Sequence, residues 1–526
     1  MTFWYSYYGL TQTEDMSKGP CLIGVDVGTT NVKVGAFTPK GQVVATTGLE
    51  LHAERSRPGW AAYDPSEIWR QTARAIATVS RQISGRFEPL AIAVSSMAET
   101  GIAIDRHGLP VYEAIAWFDS RTVKQAEWWK KTFGPQFIFS RTGLPIQPIF
   151  GINKLSWIKE NEPQIFSQID RWLSVSDYIN FCLCGVQAAE LSLASRVMAL
   201  DLRKRAWSEE ILAAAGISAR VLGEPLHSAE VLGPISATAA HLTELPRSVR
   251  IVTGGHDHPC AAVGSGILKT GLVLDSLGTS ESLLMVLDSP MLEAKAADSG
   301  FAQGCHVLRD KFVCFGGLVT MGGAIDWVRK ILFPEMDRGV AYRHLEELGS
   351  RSRPGSGGIY FVPSLRAASP PNNDPESCGV FIGLRSDSSL QDLARAVHEG
   401  LAFASYDCLE AIRSLFDSQI ERIRAVGGPT RNRLLMRAKA ALATVPFTIL
   451  EVEEAACRGA SILAGLGICV YQSTEDVART IEFRETLVDP PPEWSEIYKQ
   501  RYDLVYRRIY PSIRDLHQRI LEIEKT

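Results

Sequence analysis

The stretch Asp26-Val27-Gly28-Thr29-Thr30 decides the fold of this chain, together with its downstream counterpart Ser276-Leu277-Gly278-Thr279-Ser280. Each follows an apolar run, Cys21 to Val25 in the first case and Leu272 to Leu274 in the second, and is predicted to be a strand that turns through a Gly-hydroxyl loop. Glycine lets backbone N–H groups approach a phosphate closely, and the hydroxyls add donors. Two such loops, one opening each half of the chain, predict a duplicated fold that clamps a polyphosphate between two lobes.

The composition is that of a globular enzyme. The chain has 526 residues, of which 45% are hydrophobic and 22% are charged, so it is long enough for two large domains. A net charge of −4 gives no reason to expect a nucleic acid or a membrane surface as partner, and no apolar run is long enough to span a bilayer. The ten cysteines are scattered without a Cys-x-x-Cys pair, which favours reduced thiols in a cytoplasmic protein.

The order of predicted elements divides the chain into three parts. Residues 1–20 are aromatic and polar but lack the basic start and apolar core of a signal peptide, so they are interpreted as an N-terminal extension. Residues 21–267 are predicted to form an N-terminal α/β domain. Residues 268–526 are predicted to form a C-terminal α/β domain, which restarts with the second glycine loop.

Two aspartates at predicted strand ends are candidates for the chemistry. Asp26 precedes the first loop, where a carboxylate can hold Mg²⁺ through water beside phosphates, although an Asp that caps a turn is an open alternative. Asp257, in Gly254-Gly255-His256-Asp257-His258, is positioned to accept a proton from an attacking hydroxyl. The flanking histidines also allow a metal site, but this is disfavoured because one loop is not expected to aim all three side chains inward.

Two further segments of the first half have the residue types that bind sugars. Glu99 follows a predicted strand, and Trp117, Asp119 and Arg121 lie within five positions of one another. Carboxylates and guanidinium groups bridge sugar hydroxyls, while an aromatic face packs on C–H groups. A surface Asp–Arg pair beside a core Trp is an equally simple explanation of the second segment.

Glycines in the second half are candidates for contact with a nucleotide. Gly427-Gly428 ends a predicted strand, Asn432 follows within the same turn, and Gly322-Gly323 begins an apolar helix. Absence of side chains allows adenine or ribose to approach closely. Ordinary strand-to-helix turns and helix packing remain alternatives for these glycines.

Taken together, these segments resemble the FGGY carbohydrate kinases, a branch of the actin/Hsp70/sugar-kinase superfamily, over about residues 20 to 480. The resemblance rests on the order of many motifs. These are the loop at 26–30, Gly59-Trp60, Asp64-Pro65, 114–122, the Asp257 loop, the loop at 277–280, Gly323-Ala324, Glu399-Gly400, Gly427-Gly428 and 455–460. It implies an α/β fold of two ribonuclease-H-like domains that flank a cleft for ATP and sugar. It also implies that the first domain carries the sugar and phosphate side and the second the nucleotide side.

The resemblance also implies a role for each matched position. Asp257 would be the catalytic base and, with Glu99, would contact substrate hydroxyls, while Asp26 would hold Mg²⁺. The sugar pocket would be shaped by Trp117, Asp119 and Arg121. ATP would be bound by Gly28, Thr29, Thr30, Lys33, Gly278, Thr279, Gly323, Gly427, Gly428 and Asn432. The expected partner is a small sugar, and a homodimer is compatible with the resemblance.

Departures from the family pattern bear on the substrate. The His and Gln common in xylulokinases are missing at Ser95–Thr100, and Ala98 stands where glycerol kinases carry Arg. The segments around Glu99, Trp117 and Asp257 are most similar to the L-fuculokinase-like branch. We therefore expect phosphorylation of a terminal hydroxyl of a ketopentose or 6-deoxyketohexose of the xylulose, fuculose or ribulose type. A polyol or sugar-acid kinase (erythritol, ribitol, gluconate) and a non-catalytic ATP-binding sensor are the alternatives.

Overall fold

Two mixed β-sheets form the framework of the protein. Its computed structural model describes residues 18–417 and 419–524. The aromatic extension predicted at residues 1–20 lies almost entirely outside the described residues. Within those ranges, no helix is both long and apolar enough to cross a membrane. All ten cysteines are free thiols.

The first sheet has six strands. Their spatial order is Val231–Pro234, Arg250–His256, Phe87–Ser96, Gly19–Val27, Asn31–Phe37 and Val43–Glu50. The last three form an antiparallel meander, whereas Phe87–Ser96 is parallel to both Gly19–Val27 and Arg250–His256. Register aligns Val27 and His256 with Ser96, so the carboxyl ends of three strands meet at one edge of the sheet. This edge brings together the predicted sites at Asp26, Glu99 and Asp257.

The second sheet repeats this plan with seven strands. Their spatial order is Ala302–Cys305, Phe312–Gly316, Glu281–Leu287, Leu272–Leu277, Arg422–Val426, Phe447–Leu450 and Glu485–Leu487. Here too an antiparallel hairpin carries the glycine loop, and the next two strands, Arg422–Val426 and Phe447–Leu450, are parallel to its first strand. The predicted α/β fold with two duplicated domains is therefore confirmed.

Helices and short strands complete the two halves. In the first half the helices are Pro65–Ile83, Val123–Thr132, Pro135–Thr142, Gly151–Asn161, Pro163–Phe166, Val175–Cys184, Leu191–Ala194, Glu209–Ala215, Ala219–Leu222, Ala237–Thr243 and Asp257–Gly264. Its short strands are Ala62–Tyr63, Gly101–Ile104, Ala114–Ile115, Arg171–Ser174, Ala189–Glu190, Leu200–Asp201, Ala206–Trp207 and Pro225–Leu226. In the second half the helices are Ala294–Asp298, Gly322–Leu332, Arg338–Arg351, Leu390–Phe416, Arg433–Leu442, Ala455–Gly467, Thr474–Thr480, Pro492–Arg501 and Arg507–Glu524, with short strands Tyr360–Val362 and Val380–Ile382.

The first long helix shows how local sequence sets these boundaries. Asp64 precedes Pro65–Ile83, and its carboxylate accepts a hydrogen bond from the Ser66 amide at 2.8 Å. Proline at the first helical position has no N–H to leave unsatisfied. Ile68, Ile76 and Val79 recur on the buried face, which packs on the first sheet.

One helix of the second half packs against the first sheet. Ala455–Gly467 crosses the helix Asp257–Gly264 so closely that a Cβ on Gly459 would lie 1.7 Å from the Cys260 carbonyl oxygen. A Cβ on Gly24 of the central strand would lie 1.8 Å from the Cys457 carbonyl oxygen. Only glycine fits at either position. This close packing holds the two halves of the chain together beneath the cleft.

Candidate active site

Asp257 begins the helix Asp257–Gly264, directly after the strand Arg250–His256. Its Oδ1 accepts a hydrogen bond from the His258 amide at 2.6 Å and lies 3.2 Å from Nε2 of His256. Burial works against ionisation, but His258 and His256 outweigh it and lower the pKa of Asp257 below its usual value. The side chain is 26% exposed. Asp257 is thus a carboxylate at neutral pH that faces the cleft.

Asp26 lies at the same edge of the sheet. Ser95 Oγ donates a hydrogen bond to its Oδ1 at 2.9 Å. Burial and, next, the nearby charge of Asp257 raise the pKa of Asp26 to about 7. Two acids that repel each other in one enclosed space favour capture of a cation or a shared proton. The sequence predicts both residues at strand ends. The electrostatic repulsion between them depends on the parallel pairing of strands that are far apart in the chain.

Contacts with Arg196 and the buried Lys154 hold Glu99 in an unusual backbone conformation. Its φ is 59°, in the left-handed region that non-glycine residues seldom adopt. Arg196 donates from Nε to Glu99 Oε1 at 2.6 Å, and Lys154 Nζ donates to the Glu99 carbonyl at 2.6 Å and to the Ile115 carbonyl at 3.1 Å. Burial lowers the pKa of Lys154 to about 7. These contacts fix the carboxylate and the backbone of Glu99 together.

Arg196 joins the two halves of the molecule at this point. Its guanidinium carbon lies 5.1 Å from the ring centre of Phe150 and 5.4 Å from that of Phe315. Phe315 belongs to the second sheet, and its ring also packs against His256 at 5.5 Å. Sequence reasoning missed Arg196, Phe150 and Phe315, since none belongs to a motif with a chemical signature.

Trp117 flanks the first glycine loop. Its indole Nε1 donates to Thr29 Oγ1 at 3.0 Å, and its ring meets Phe118 edge-on. The Thr29 carbonyl accepts from the Tyr63 hydroxyl at 2.9 Å. The aromatic residue predicted for the sugar side is therefore in contact with the loop predicted for phosphate.

Asp119 and Arg121 lie behind Trp117 and engage each other. Asp119 Oδ2 accepts from the Ala61 amide at 2.6 Å and from Arg121 Nη2 at 2.8 Å, while the Arg121 guanidinium carbon lies 4.0 Å from the ring centre of Trp60. Both side chains are at most 1% exposed, so the alternative of a surface pair is wrong. With its donors and acceptors used internally, the pair supports the segment that carries Trp117.

Backbone hydrogen bonds fix the conformation of the first glycine loop. The Gly28 amide donates to the Asn31 carbonyl at 2.9 Å, and the Leu51 amide donates to the Thr30 carbonyl at 2.8 Å. Lys33, on the following strand, forms an ion pair with Glu454, with 2.7 Å between Nζ and Oε2. Thr29 and Thr30 therefore present their side chains from a rigid turn.

The second glycine loop sits against a helix N-terminus. The Gly322 amide donates to the Gly278 carbonyl at 3.0 Å, and the Gly323 amide donates to the Thr279 carbonyl at 3.0 Å. Gly278 and Thr279 are exposed to the cleft. Since the helix Gly322–Leu332 starts here, its positive end adds to the local attraction for anions.

A cavity of about 670 Å³ opens beside this second loop. Its lining comes from four segments: Gly278 and Thr279; Gly322 to Asp326; Arg338 to Glu346; and Gly428 to Arg433. The volume is in the range of sites for small ligands. The segment 338–346, which supplies Tyr342 and two arginines, carried no signal in the sequence.

Gly427 and Gly428 are glycines for different structural reasons. Gly427 has φ 100°, and a Cβ there would lie 2.0 Å from the Leu277 carbonyl oxygen, so packing requires it. A Cβ on Gly428 would meet no protein atom within 4 Å, which leaves the space to a ligand. Asn432 lines the cavity but caps the helix Arg433–Leu442, accepting from the Leu435 amide at 2.9 Å, and its amide nitrogen lies 2.9 Å from His398 Nε2.

Asp326, which lines this cavity, contacts three cationic side chains. It pairs with Arg329 at 2.9 Å, Lys330 at 2.8 Å and Arg338 at 3.6 Å, and it accepts from the Tyr342 hydroxyl at 3.2 Å. Although burial opposes ionisation, Lys330 and Arg329 lower its pKa to about 2. The network holds the helix Arg338–Arg351 against the start of Gly322–Leu332.

Comparison with known proteins agrees with this architecture. The chain matches the N-terminal domain of the FGGY family of carbohydrate kinases over residues 21–264 and the C-terminal domain of that family over residues 273–468. It is 25% identical over 504 residues to a xylulose kinase from Staphylococcus epidermidis, covering 95% of this chain and 99% of that protein. It is 26% identical over 449 residues to a gluconokinase from Bacillus licheniformis, covering 84% and 86%.

A solved structure shares the same fold. The crystal structure of gluconate kinase from Lactobacillus acidophilus superposes with a TM-score of 0.87 at 23% identity, covering 94% of this chain and 98% of that one. The two family matches together span most of the sequence. The protein therefore belongs to the FGGY family of carbohydrate kinases and is a phosphotransferase that acts on a carbohydrate.

Proposed function

We propose that this kinase uses ATP to phosphorylate a terminal hydroxyl of a ketopentose or 6-deoxyketohexose, with Asp257 as the catalytic base. The observation that supports this most is the geometry at Asp257: an ionised, partly exposed carboxylate at a strand end, held by His256 and His258 at the floor of the cleft. A general base must be deprotonated and accessible, and Asp257 is both.

The role of Asp257 follows from the chemistry of phosphoryl transfer. The terminal hydroxyl of the sugar gives its proton to an Asp257 oxygen while that hydroxyl oxygen forms a bond to the γ-phosphorus. The bond from that phosphorus to the bridging oxygen breaks, and ADP leaves. Protein groups mainly position the reactants in such reactions, so one well-held base suffices. The bond from His258 N–H to Asp257 keeps the carboxylate directed at the cleft.

Asp26 and Asp257 fit the magnesium ion that this chemistry requires. Both offer carboxylate oxygens, which Mg²⁺ prefers, and the raised pKa of Asp26 indicates negative charge that a cation would relieve. We propose that Asp26, supported by Ser95, holds the ion through water. When bound, Mg²⁺ neutralises charge on the phosphates.

The nucleotide is proposed to lie across the two glycine loops. Gly28, Thr29, Thr30 and Lys33 supply the first side, while Gly278, Thr279 and Gly323 supply the second. The adenosine is proposed to occupy the cavity beside Gly427, Gly428 and Asn432, because Gly428 leaves space there.

Two further properties stay predictions. They are the division of the chain into two domains near residue 267 and the formation of a homodimer.

The cations beside Glu99 favour an uncharged sugar over a sugar acid. Lys154 is committed to two carbonyls and Arg196 to the Glu99 carboxylate. A substrate carboxylate would have to displace one of these contacts, whereas hydroxyls can bond to Glu99 and Asp257 directly. We therefore propose Glu99, Asp257 and Trp117 as the sugar contacts, with Asp119 and Arg121 behind them.

An ADP-release assay with Mg·ATP tests this proposal. The panel contains ketopentoses, 6-deoxyketohexoses, tetritols, pentitols and aldonates, with Asp257→Asn as the inactive control. Turnover concentrated on one ketose is the expected result. Turnover on a polyol or aldonate alone would transfer the same mechanism to that substrate and contradict the proposed specificity. No turnover on any compound, with ATP still bound, would favour a non-catalytic sensor.

A further inference from the structure

Three potential metal ligands converge at the end of the strand Arg250–His256. Ligand atoms of His256, Asp257 and His258 all lie within 4.8 Å of one another, and the described residues contain no other such group of three. Although the His258 side chain is half-exposed, its ligand atom lies close to those of His256 and Asp257. The reason is that the strand ends at His256 and the helix starts at Asp257, so the backbone turns between the residues.

We propose that His256, Asp257 and His258 bind one zinc-class transition-metal ion, which inhibits the kinase by occupying its base. This site differs from the magnesium site at Asp26, since two of its three ligands are imidazoles. Imidazole suits zinc, copper and nickel, whereas magnesium prefers oxygen ligands. The inhibition rests on the proposed role of Asp257, but binding of the ion does not.

The distances agree with a three-ligand site. Zinc binds nitrogen and oxygen at about 2.0–2.2 Å, so neighbouring ligand atoms in a tetrahedral site are separated by about 3.3 Å. Asp257 Oδ1 lies 3.2 Å from His256 Nε2 and 4.0 Å from His258 Nε2. His258 is 48% exposed, so its ring has room to move the remaining distance. Three protein ligands leave a fourth position open to water or to a sugar hydroxyl.

The local charge also suits a cation. Asp26 places a second carboxylate at the same edge of the first sheet, because register aligns Val27 and His256 with Ser96. Carboxylate oxygen and imidazole nitrogen together form a ligand set that zinc accepts.

Zinc titration of the whole protein, without nucleotide or sugar, tests the site directly. Isothermal calorimetry, checked by competition with a chromogenic chelator, should give one Zn²⁺ per chain. His258→Gln and Asp257→Asn should each weaken this binding at least tenfold. His258 is the preferred variant because its ring is half-exposed, and circular dichroism would verify that each variant is folded.

A matched control comes from a second histidine beside a carboxylate. His52 Nε2 lies 3.2 Å from Glu50 Oε2, the same separation as in the His256–Asp257 pair, but both side chains are about 80% exposed. Among residues 18–417 and 419–524, no third ligand completes a group of three with this pair. His52→Gln should leave zinc affinity unchanged. Equal loss in His52→Gln and His258→Gln, unchanged affinity in His258→Gln, or no stoichiometric binding to the unaltered protein would overturn the proposal.

Inhibition is measured separately on the substrate identified by the panel. Zinc at fixed Mg·ATP should reduce turnover of the unaltered enzyme, and His258→Gln should need at least tenfold more zinc for the same fractional loss. If zinc binds but turnover is unaffected, the inhibitory part is wrong. If no substrate is turned over, the calorimetry still decides whether the metal site exists.

Discussion

The two glycine loops share one strand plan but differ in the residue that precedes them. In the first sheet Asp26 stands before Val27-Gly28, and its carboxylate faces that of Asp257. In the second sheet the corresponding position is Ser276, and the loop instead rests on the helix N-terminus at Gly322. The first loop thus lies beside a pair of acidic side chains, while the second lies beside a cavity of about 670 Å³, where the nucleotide is proposed to bind.

Buried charge is also handled differently in the two sheets. The second sheet contains Asp275 and Glu281, whose carboxyl groups both contact the buried Lys439, with 2.5 Å between Lys439 Nζ and Asp275 Oδ2. In the first sheet the lysine opposite Asp26 on the neighbouring strand, Lys33, forms its ion pair with Glu454 instead, and the Asp257 side chain is 26% exposed. Compensated charge stabilises a core, whereas uncompensated charge at a cleft is available to bind a ligand.

Removing the base should produce the largest effect on the first half. Asp257→Asn should lower turnover by about 10²–10⁴-fold, because the amide cannot accept the hydroxyl proton. Nucleotide affinity, measured by calorimetry, should persist because the proposed adenosine site lies in the second half. Undiminished turnover would exclude Asp257 as the base and remove the chemical distinction between the two loops.

Removing the buried lysine should produce the corresponding effect on the second half. Lys439→Met leaves Asp275 and Glu281 without their cation, so the free energy of unfolding should fall by about 3–5 kcal/mol. Urea denaturation measures the change. Lys269→Met is the matched control, since its pair with Glu421 is exposed and contributes about 0–1 kcal/mol. Similar losses in both variants would show that the buried contacts of Lys439 with Asp275 and Glu281 stabilise the protein no more than an exposed ion pair does.

Glu99→Gln should separate the sugar side from the nucleotide side. The amide keeps the shape of the side chain but loses the charge that pairs with Arg196 and with substrate hydroxyls. A lost bond to a charged group costs about 1.5–3 kcal/mol, so KM for the sugar should rise about 10- to 100-fold. The KM for ATP, obtained in the same assay, should change far less. An equal rise in both constants would contradict the assignment.

Gly428→Val should produce the reverse pattern. Its side chain would project into the cavity, where no protein atom lies within 4 Å of a Cβ, so folding should tolerate it. Overlap with a bound nucleotide should cost about 1–3 kcal/mol and raise KM for ATP while KM for the sugar stays nearly constant. Unchanged KM for ATP would move the adenosine away from this cavity.

Measured per pH unit, the smallest expected effect is the pH dependence of stability from Asp275. Burial raises its pKa to about 8 in the folded protein, from an ordinary value of 3.8. Between these values the folded state binds more protons than the unfolded state, so the free energy of unfolding falls as pH rises, by up to about 1.4 kcal/mol per pH unit. Asp275→Asn should flatten this slope in urea titrations from pH 5 to 8. An unaltered slope would assign the titration to another group.

Much of the fold could be predicted because its signals are local. The apolar runs before Gly28 and Gly278, the Asp64-Pro65 helix start and the Gly427 turn each depend on adjacent residues whose conformational preferences suffice. The position of Asp257 at a strand end followed from the same reasoning. Periodicity and turn chemistry are properties of the chain itself, so the sequence by itself determined the duplicated α/β plan and the candidate base.

Only the tertiary structure decided how distant residues combine at the site. Arg196 reaches Glu99 across 97 positions, and Phe315 of the second sheet packs on that arginine. The burial of Asp119 and Arg121 likewise depends on neighbours brought close by packing, as do the burial and the repulsion by Asp257 that raise the pKa of Asp26. Electrostatic and packing energies act through space, so no pattern along the chain reports them.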